Sequence, residues 1–540
     1  MRNIARTLAA AGLVFMTAGP SFAQDASTEH VRALIAQALN QQGGAPSPSG
    51  GLPVIQETGP VVRLSVDDAV ARAMERNLTI ASERLTPQTW DLSIAASRAF
   101  YQPNLTSVFA NNNQTNLTSN VFEGGDTTNV QAQSWSGGVT QNMWKGGGNY
   151  TVNWTNSRNA SNANNTTVNP LYNSGLQAQY TQPLLRNFKI DNTRANLLSN
   201  RINQSLSEIN LSATVASTVA AVRNAYWELV YAVQAVDAAQ RSLDLSSKLV
   251  QDNQSRVEIG TMAPIDVVQA QAEQATRRQT LVNAEATLRN NELALKRLIV
   301  SGTEDDLWRA TLRPTELPAM SAAPIDLEGA VTNALANRTD IASTRKNLEL
   351  GDVQLRSLVN QTLPQLDLIG LYNLSGRGGT GLDRSRLDPN IILATTPGGY
   401  SDALANIGNF DAPTWNVRLQ FAYPLGTSAP KANLARQRIL REQTVAQVKV
   451  TELQIAVDVT TAALAIRNAQ ESIQASQASR ELSEKRLEAV QSKMDVGMAT
   501  NYEVVQAQLD LADARNSELR AQLNYQRALV DFQRAQISPR

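Results

Sequence analysis

The sequence predicts an α+β fold in which long, coiled-coil-like helices are joined to a transmembrane β-barrel. Three observations carry that expectation. Two stretches of about 65 residues keep a sustained 3/4 spacing of apolar residues, well beyond the length of a globular helix. Shorter segments alternate apolar with uncharged polar side chains at period two. The chain also repeats its own element order, so the fold is a two-fold internal repeat.

Composition narrows the chemistry. The chain has 540 residues, with 48 basic against 48 acidic side chains, so no basic excess marks a nucleic-acid partner. It has no cysteine and a single histidine, His30. A cysteine nucleophile, a disulfide framework, a Cys/His zinc site and a Ser-His-Asp triad on a later histidine are therefore excluded. Aromatic residues make up only 5% of the chain, which points to narrow, Ala-rich packing rather than one large globule. Lys145-Gly146-Gly147-Gly148 lacks the order of a phosphate-binding loop, and no cofactor is expected.

Residues 1–23 read as an export signal. Arg2 and Arg6 precede an apolar stretch from Leu8 to Gly19, and Ser21-Phe22-Ala23 supplies small residues at the cleavage positions. Beyond residue 23 no run of 18 apolar residues exists, so no helical span is expected. A mature chain that enters a membrane must then do so as a closed β-barrel. Residues 24–60 form a polar leader that carries His30 and a Pro/Gly/Ser linker from Gly43 to Pro53.

The first repeat covers residues 61–300. It opens with one helix from Ser65 to Ala99, with Asp67 and Asp68 in the first turn, where the dipole favours them. Residues 104–184 hold almost no charge. Tyr150, Val152 and Trp154 share one face of a strand, and Thr151, Asn153 and Thr155 the other. Leu176, Ala178 and Tyr180 alternate with Gln177, Gln179 and Thr181 in the same way. Trp135, Trp144, Trp154 and Trp415 are candidates for interfacial girdles. Alternation alone fits a soluble β-sandwich equally well; the export signal and the lack of a helical span favour the barrel.

A helix over about 192–257 follows, with Leu211, Val215, Val219, Val222, Tyr226 and Leu229 on one stripe. At 1.5 Å per residue it is roughly 100 Å long, and such a rod must be covered by other helices. A tip hairpin at Gly260 leads to a helix over about 264–299, with Pro264 at its first position. A connector occupies 301–323.

The second repeat, 324–540, has the same order: a helix, strands over about 365–424, a helix over about 431–494, a tip, and a helix over about 501–537. In its strands Val417, Leu419, Phe421 and Tyr423 alternate with Arg418, Gln420 and Ala422. Leu64–Met74 aligns with Ile325–Leu335 at an offset of 261, and Tyr180–Leu184 with Phe421–Leu425 at 241. Val257–Gln271 aligns without a gap with Met494–Gln508 at 237. The first repeat therefore carries about 20 extra residues between its prolines, and Trp144-Lys145-Gly146-Gly147-Gly148 reads as an added hairpin turn. In the second tip, Thr500-Asn501-Tyr502-Glu503 is a capping box.

This constellation resembles the TolC-like outer membrane efflux protein family. The export signal, the repeat, the Pro-flanked strand pairs and the tips Val496–Val505 and Ile259–Val267 carry the resemblance, which spans about residues 60–537. It implies a homotrimer whose strands close one barrel in outer membrane lipid, above a long α-helical barrel that forms a tunnel through the periplasm. It further implies a periplasmic membrane-fusion adaptor and an inner-membrane transporter of ABC, RND or MFS type. The implied function is the exit duct for type I protein secretion or multidrug efflux, with no enzymatic step. Family members have four strands per subunit; the extra segment here could make six. The adaptor would meet Gly260, Thr261, Met262, Ala263, Pro264 and Asp266 in one tip. In the other it would meet Gly497, Met498, Ala499, Thr500, Asn501 and Glu503. Threefold symmetry would turn the nearby carboxylates Glu488, Asp495, Glu258 and Asp252 into acidic rings at the narrow end. Glu488 stands where the family's tunnel-constricting acid resembles it; Gln491 replaces the second such acid. The competing reading is a periplasmic coiled-coil scaffold or adaptor without a pore, against which the alternating strands argue.

Overall fold

The structure, a computed structural model, describes residues 60–117, 126–316, 326–385, 391–426 and 428–536, except for the side chains of Asp495 and Asn501. The export signal and the leader up to residue 59, with His30, lie outside the described residues.

The first repeat runs β1 (Val61–Leu64), α1 (Val66–Arg76), α2 (Leu78–Ala99), β2 (Asn104–Leu117), β3 (Thr127–Asn142), β4 (Asn149–Ser161), β5 (Val168–Pro183), α3 (Asn192–Glu258) and α4 (Pro264–Ile299). The connector holds α5 (Asp306–Arg309) and β6 (Thr311–Pro314). The second repeat runs α6 (Leu327–Asn337), α7 (Thr339–Gln361), β7 (Gln365–Arg384), β8 (Ile392–Thr396), α8 (Tyr400–Gly408), β9 (Pro413–Ala422), α9 (Ala429–Asp495) and α10 (Asn501–Gln536).

The single helix expected over Ser65–Ala99 is two helices. Asn77 breaks it in an extended conformation, and its Oδ1 accepts from the amides of Thr79 and Ile80 to cap α2. The same side chain donates to the carbonyl of Leu298, so the break also ties α2 to the end of α4. Arg338, at the equivalent position, divides α6 from α7 and pairs with Asp340 and Asp458.

Helices α3 and α9 each have 67 residues, about 100 Å at the α-helical rise. Their apolar stripes are covered from within the chain: α4 packs on α3, α10 on α9, and α10 also on α3. On α9 the buried residues Ile455, Val459, Ile466 and Ile473 recur along one face, against α6 and α10. Alanines such as Ala469, Ala521 and Ala528 let the backbones approach.

The largest core surrounds a two-stranded parallel sheet that pairs β1 with β6 across 250 residues of chain. Tyr226 of α3 is fully buried there. Its hydroxyl donates to the carbonyl of Leu64 at 3.1 Å and accepts from the amides of Thr315 and Glu316, each at 3.2 Å. One phenol thus bonds three backbone groups at the ends of both strands, where the amide of Thr315 also donates to the carbonyl of Leu64 at 3.1 Å.

The second sheet is antiparallel throughout, in the order β2-β3-β4-β5-β7. Strand β9 pairs with the first part of β7, Gln365–Leu374, and the short β8 with its last part, Gly381–Arg384. The first repeat thus supplies four long strands and the second two. The turn from β3 to β4 uses left-handed Gly146 and Gly147, and a Cβ on Gly147 would strike the carbonyl oxygen of Asn187 at 2.4 Å. Strand register places Val139, Val152, Trp154, Leu176, Ala178, Tyr372, Leu374, Val417 and Trp415 on one face. Thr140, Thr151, Asn153, Gln177, Gln179, Asn373 and Asn416 lie on the other. Where the apolar face turns polar, α8 covers it. Tyr400 donates to Asn156 at 2.8 Å and stacks edge-on against Trp135, while Gly376 leaves no room for a Cβ beside the carbonyl of Ala403.

Removing only the Tyr226 hydroxyl, by Tyr226→Phe, keeps the packing but leaves Leu64, Thr315 and Glu316 without that partner. The expected loss is about 1–3 kcal/mol of stability, read as a lowered midpoint of thermal unfolding. An unchanged midpoint would remove the hydroxyl from the account of this core.

Candidate functional site

Two helical hairpins end the rods, and their backbones are near copies. Gly260 and Gly497 adopt φ of 76° and 72°. At the first tip the amide of Thr261 donates to the carbonyl of Arg256 at 2.9 Å, and that of Gly260 to Val257 at 3.0 Å. At the second, Met498 donates to Lys493 at 2.8 Å and Gly497 to Met494 at 3.0 Å. This is the Schellman closure, in which a left-handed glycine lets two amides satisfy the last helical carbonyls. No atom lies within 4 Å of where a Cβ on either glycine would stand, so conformation alone selects glycine.

The helices that follow start differently. Helix α4 has Ala263 at its N-cap without a side-chain bond, Pro264 at its first position and Asp266 in its first turn. Helix α10 starts with a reciprocal capping box. Thr500 Oγ accepts from the amide of Glu503 at 3.4 Å, and Glu503 Oε2 accepts from the amide of Thr500 at 3.0 Å.

Thr261, Ala263, Pro264, Gly260, Gly497, Met498, Thr500 and Glu503 are exposed, and Met262, Asp266 and Ala499 half-buried. Asn501 opens α10. The tips also carry apolar residues whose exposure the sequence did not show. Ile259 and Val496 occupy equivalent repeat positions and are 74% and 69% exposed. Ile265 and Tyr502, also equivalent, are 61% and 68% exposed. Apolar side chains at matched places on a turn that packs on nothing were the available signal, since a turn alone requires only its glycine and caps.

The carboxylates divide in the same way. Glu258 and Asp495 are the last residues of α3 and α9 and are repeat equivalents; Glu258, Asp252 and Glu488 are exposed. Among the described residues none of these three is in an ion pair. One turn before Glu488, by contrast, Glu484 is held by Arg480 at 2.9 Å and Arg515 at 3.0 Å, and Arg480 also reaches Glu518 at 2.6 Å. With Arg486 and Asp510 this network cross-links α9 to α10 above the tip. The hydrogen bond from Arg515, with Arg480 beside it, keeps the Glu484 carboxyl below the usual range despite its partial desolvation. Higher on the rods, a groove between the two hairpins is lined by Tyr231, Arg241, Arg277, Asp513, Arg515 and Arg520. No group of acidic or histidine side chains among the described residues could hold a metal ion.

The family model for outer membrane efflux proteins matches residues 149–300 and 330–535. The chain belongs to the outer membrane efflux protein family. Its two matched segments fall one in each repeat, and family membership places the chain in the outer membrane. Among solved structures it is similar to the CmeC outer membrane channel of Campylobacter jejuni, at 13% identity and a TM-score of 0.63, over 88% of this chain and 85% of that one. It is similar to VceC of Vibrio cholerae at 14% identity and a TM-score of 0.60, over 87% and 95% of the two chains. The open-state MtrE channel of Neisseria gonorrhoeae matches at 17% identity and 0.58, over 87% and 88%. At such identities these likenesses establish the fold. The comparison with curated proteins finds no match.

Gly497→Val places a β-branched residue at positive φ in open space. It is expected to weaken the second tip by about 1–2 kcal/mol, while Gly497→Asn, which tolerates that conformation, costs less. Faster amide exchange confined to residues 490–505 would show this; equal exchange in both variants would refute it.

The α9–α10 ion pairs make a pH prediction. A depressed Glu484 pKa contributes stability above the unfolded value, about 4.3, that is lost as pH falls through the folded value. Amides of α9 near Glu484 should exchange faster, relative to the core, below about pH 4, and Glu484→Gln should abolish the difference.

Proposed function

We propose that three copies of this chain form the outer-membrane exit duct of a tripartite export system. A periplasmic membrane-fusion adaptor and an inner-membrane transporter deliver the cargo, and the duct passes it to the exterior. The observation that carries this reading is a two-faced antiparallel sheet joined to 67-residue helices that end in exposed apolar hairpins. An apolar sheet face suits lipid, and a Thr/Asn/Gln face suits a water-filled lumen. Neither requires bond chemistry, so the chain acts as a conduit and not as an enzyme.

The tips are the adaptor contact. Ile259, Ile265, Val496, Met498 and Tyr502 offer apolar anchors on rigid turns, with Gly260, Thr261, Met262, Ala263, Pro264, Asp266, Gly497, Ala499, Thr500, Asn501 and Glu503 shaping the surface around them. The nearby carboxylates, Glu488 first and then Asp252, Glu258 and Asp495, form the acidic rings of the narrow end. Threefold repetition multiplies each charge and selects for cations. A duct of this kind serves protein secretion and small-molecule efflux alike, because selection of cargo lies with the inner-membrane transporter.

Reconstituted protein should form cation-selective channels, and Glu488→Ala should lower that selectivity and the block by divalent cations. Ile259→Asp with Val496→Asp should abolish export while leaving outer-membrane oligomers intact. Deletion of the gene, scored for secreted proteins and for drug sensitivity, assigns the system. Protein that forms no channels, or tip variants that export normally, would overturn the reading.

A further inference from the structure

Among the described residues, nothing pairs to the free edges of the two outer strands of the large sheet. Strand β2 has 14 residues and β9 has 10, and every one is exposed. Both present bulky apolar side chains: Leu105 and Phe109 on β2, and Trp415, Val417, Leu419 and Phe421 on β9. Unpaired amides cannot remain in hydrocarbon, so these edges must find strands. We infer that β9 of one copy pairs antiparallel with β2 of the next, in the register of the internal β5–β7 ladder, and that three copies close an eighteen-stranded barrel. This rests on the reading of the sheet as a barrel shared between copies.

The internal repeat supplies the register. Strand β5 ends at Pro183 and leads into α3, as β9 leads through Pro424 into α9; β2 follows α2 and Pro103 as β7 follows α7 and Pro364. The pair β3–β4 has no counterpart in the second repeat. The β5–β7 contact is therefore the junction of one repeat with the next, and β9–β2 is the same junction between chains. Within the chain Tyr180 faces Gly370 and Thr181 faces Ile369. Carried over by the offsets of 241 and 261, these become Phe421 opposite Phe109 and Ala422 opposite Val108 of the next copy.

An independent check comes from the faces. Phe109 lies opposite Trp135, which is on the sheet's apolar face, and Phe421 lies opposite Leu366, two residues from Leu368 on that face. The transferred register puts these two phenylalanines side by side on the lipid side, and Ala422 with Val108 on the lumen side. A slip of one residue would turn one chain's apolar face inward. The inserted β3–β4 hairpin adds two strands, an even number, so the outer strands keep opposite directions and closure is preserved.

The insertion changes the barrel's width. Strands about 4.8 Å apart and tilted about 40° give a ring roughly 35 Å across for eighteen strands, against roughly 24 Å for twelve. The extra hairpin therefore widens the outer end and leaves the helical tunnel beneath it unchanged.

Because the chain has no cysteine, a disulfide scan is clean. The double variant Val108→Cys, Ala422→Cys, oxidised in outer membranes, should run on denaturing gels as covalent dimers and trimers and nothing larger. The slipped pair Ala110→Cys, Ala422→Cys should cross-link at least tenfold less. Detergent-resistant oligomers seen without oxidant certify that each variant has assembled. A monomer closed on itself, stronger cross-linking of the slipped pair, or covalent tetramers would overturn the inference. So would projection images showing a barrel near 24 Å. Channels that conduct while the cysteines fail to join would sink this register alone; loss of both conductance and oligomers from the unmutated chain would instead sink the proposed function.

Discussion

A backbone amide in hydrocarbon has no water to bond, and this constraint governs the membrane end of the molecule. No described helix is long and apolar enough to cross a bilayer. An apolar sheet face can meet lipid without exposing backbone groups, provided that the sheet in lipid keeps no free edge. Six long strands with two unpaired edges are an incomplete object on those terms. In the proposed duct, the two-faced sheet and the joining of copies both answer that requirement.

The duplication was copied faithfully where geometry is unforgiving and loosely where it is not. Both tips close with the same two hydrogen bonds around a left-handed glycine, because few other closures turn a helix so sharply. The starts of the next helices differ, proline in one and a capping box in the other, since several devices serve a helix N-terminus equally well. The sheets differ most. A hairpin was added in one half and a short helix, α8, in the other. Sheets accept such additions in pairs of strands, and surface helices wherever glycine clears the ground, as Gly376 and Gly378 do beneath α8.

What could be read in the sequence was what local periodicity encodes. The 3/4 stripes, the period-two strands and the helix-stopping glycines lie in windows of a few residues, so the α+β class and its duplication were legible. The β1–β6 pair was not, because four-residue strands 250 residues apart carry no local signal and exist through the core around Tyr226. The division at Asn77 was missed for a related reason. Asparagine within a helical pattern reads as tolerated, and only its extended backbone and the cap its Oδ1 gives to Thr79 and Ile80 show that it ends one helix and starts another. At the tips the glycines and caps were legible, whereas the exposure of Ile259, Ile265, Val496 and Tyr502 was not, since exposure is a property of packing and not of spacing.

Stability is graded along the rods, and the gradient matches the division of labour. Around Tyr226 apolar burial is complete and the hydroxyl is fully used. Toward the tips apolar packing gives way to ion pairs on partly exposed helices, which contribute little each. Close to the first tip Asn253 is fully buried with neither Oδ1 nor Nδ2 bonded, a cost that a better-packed seam would avoid. A hairpin built this way opens locally at little expense to the whole. The partner-binding surface proposed for the tips is better placed at that end than beside the core.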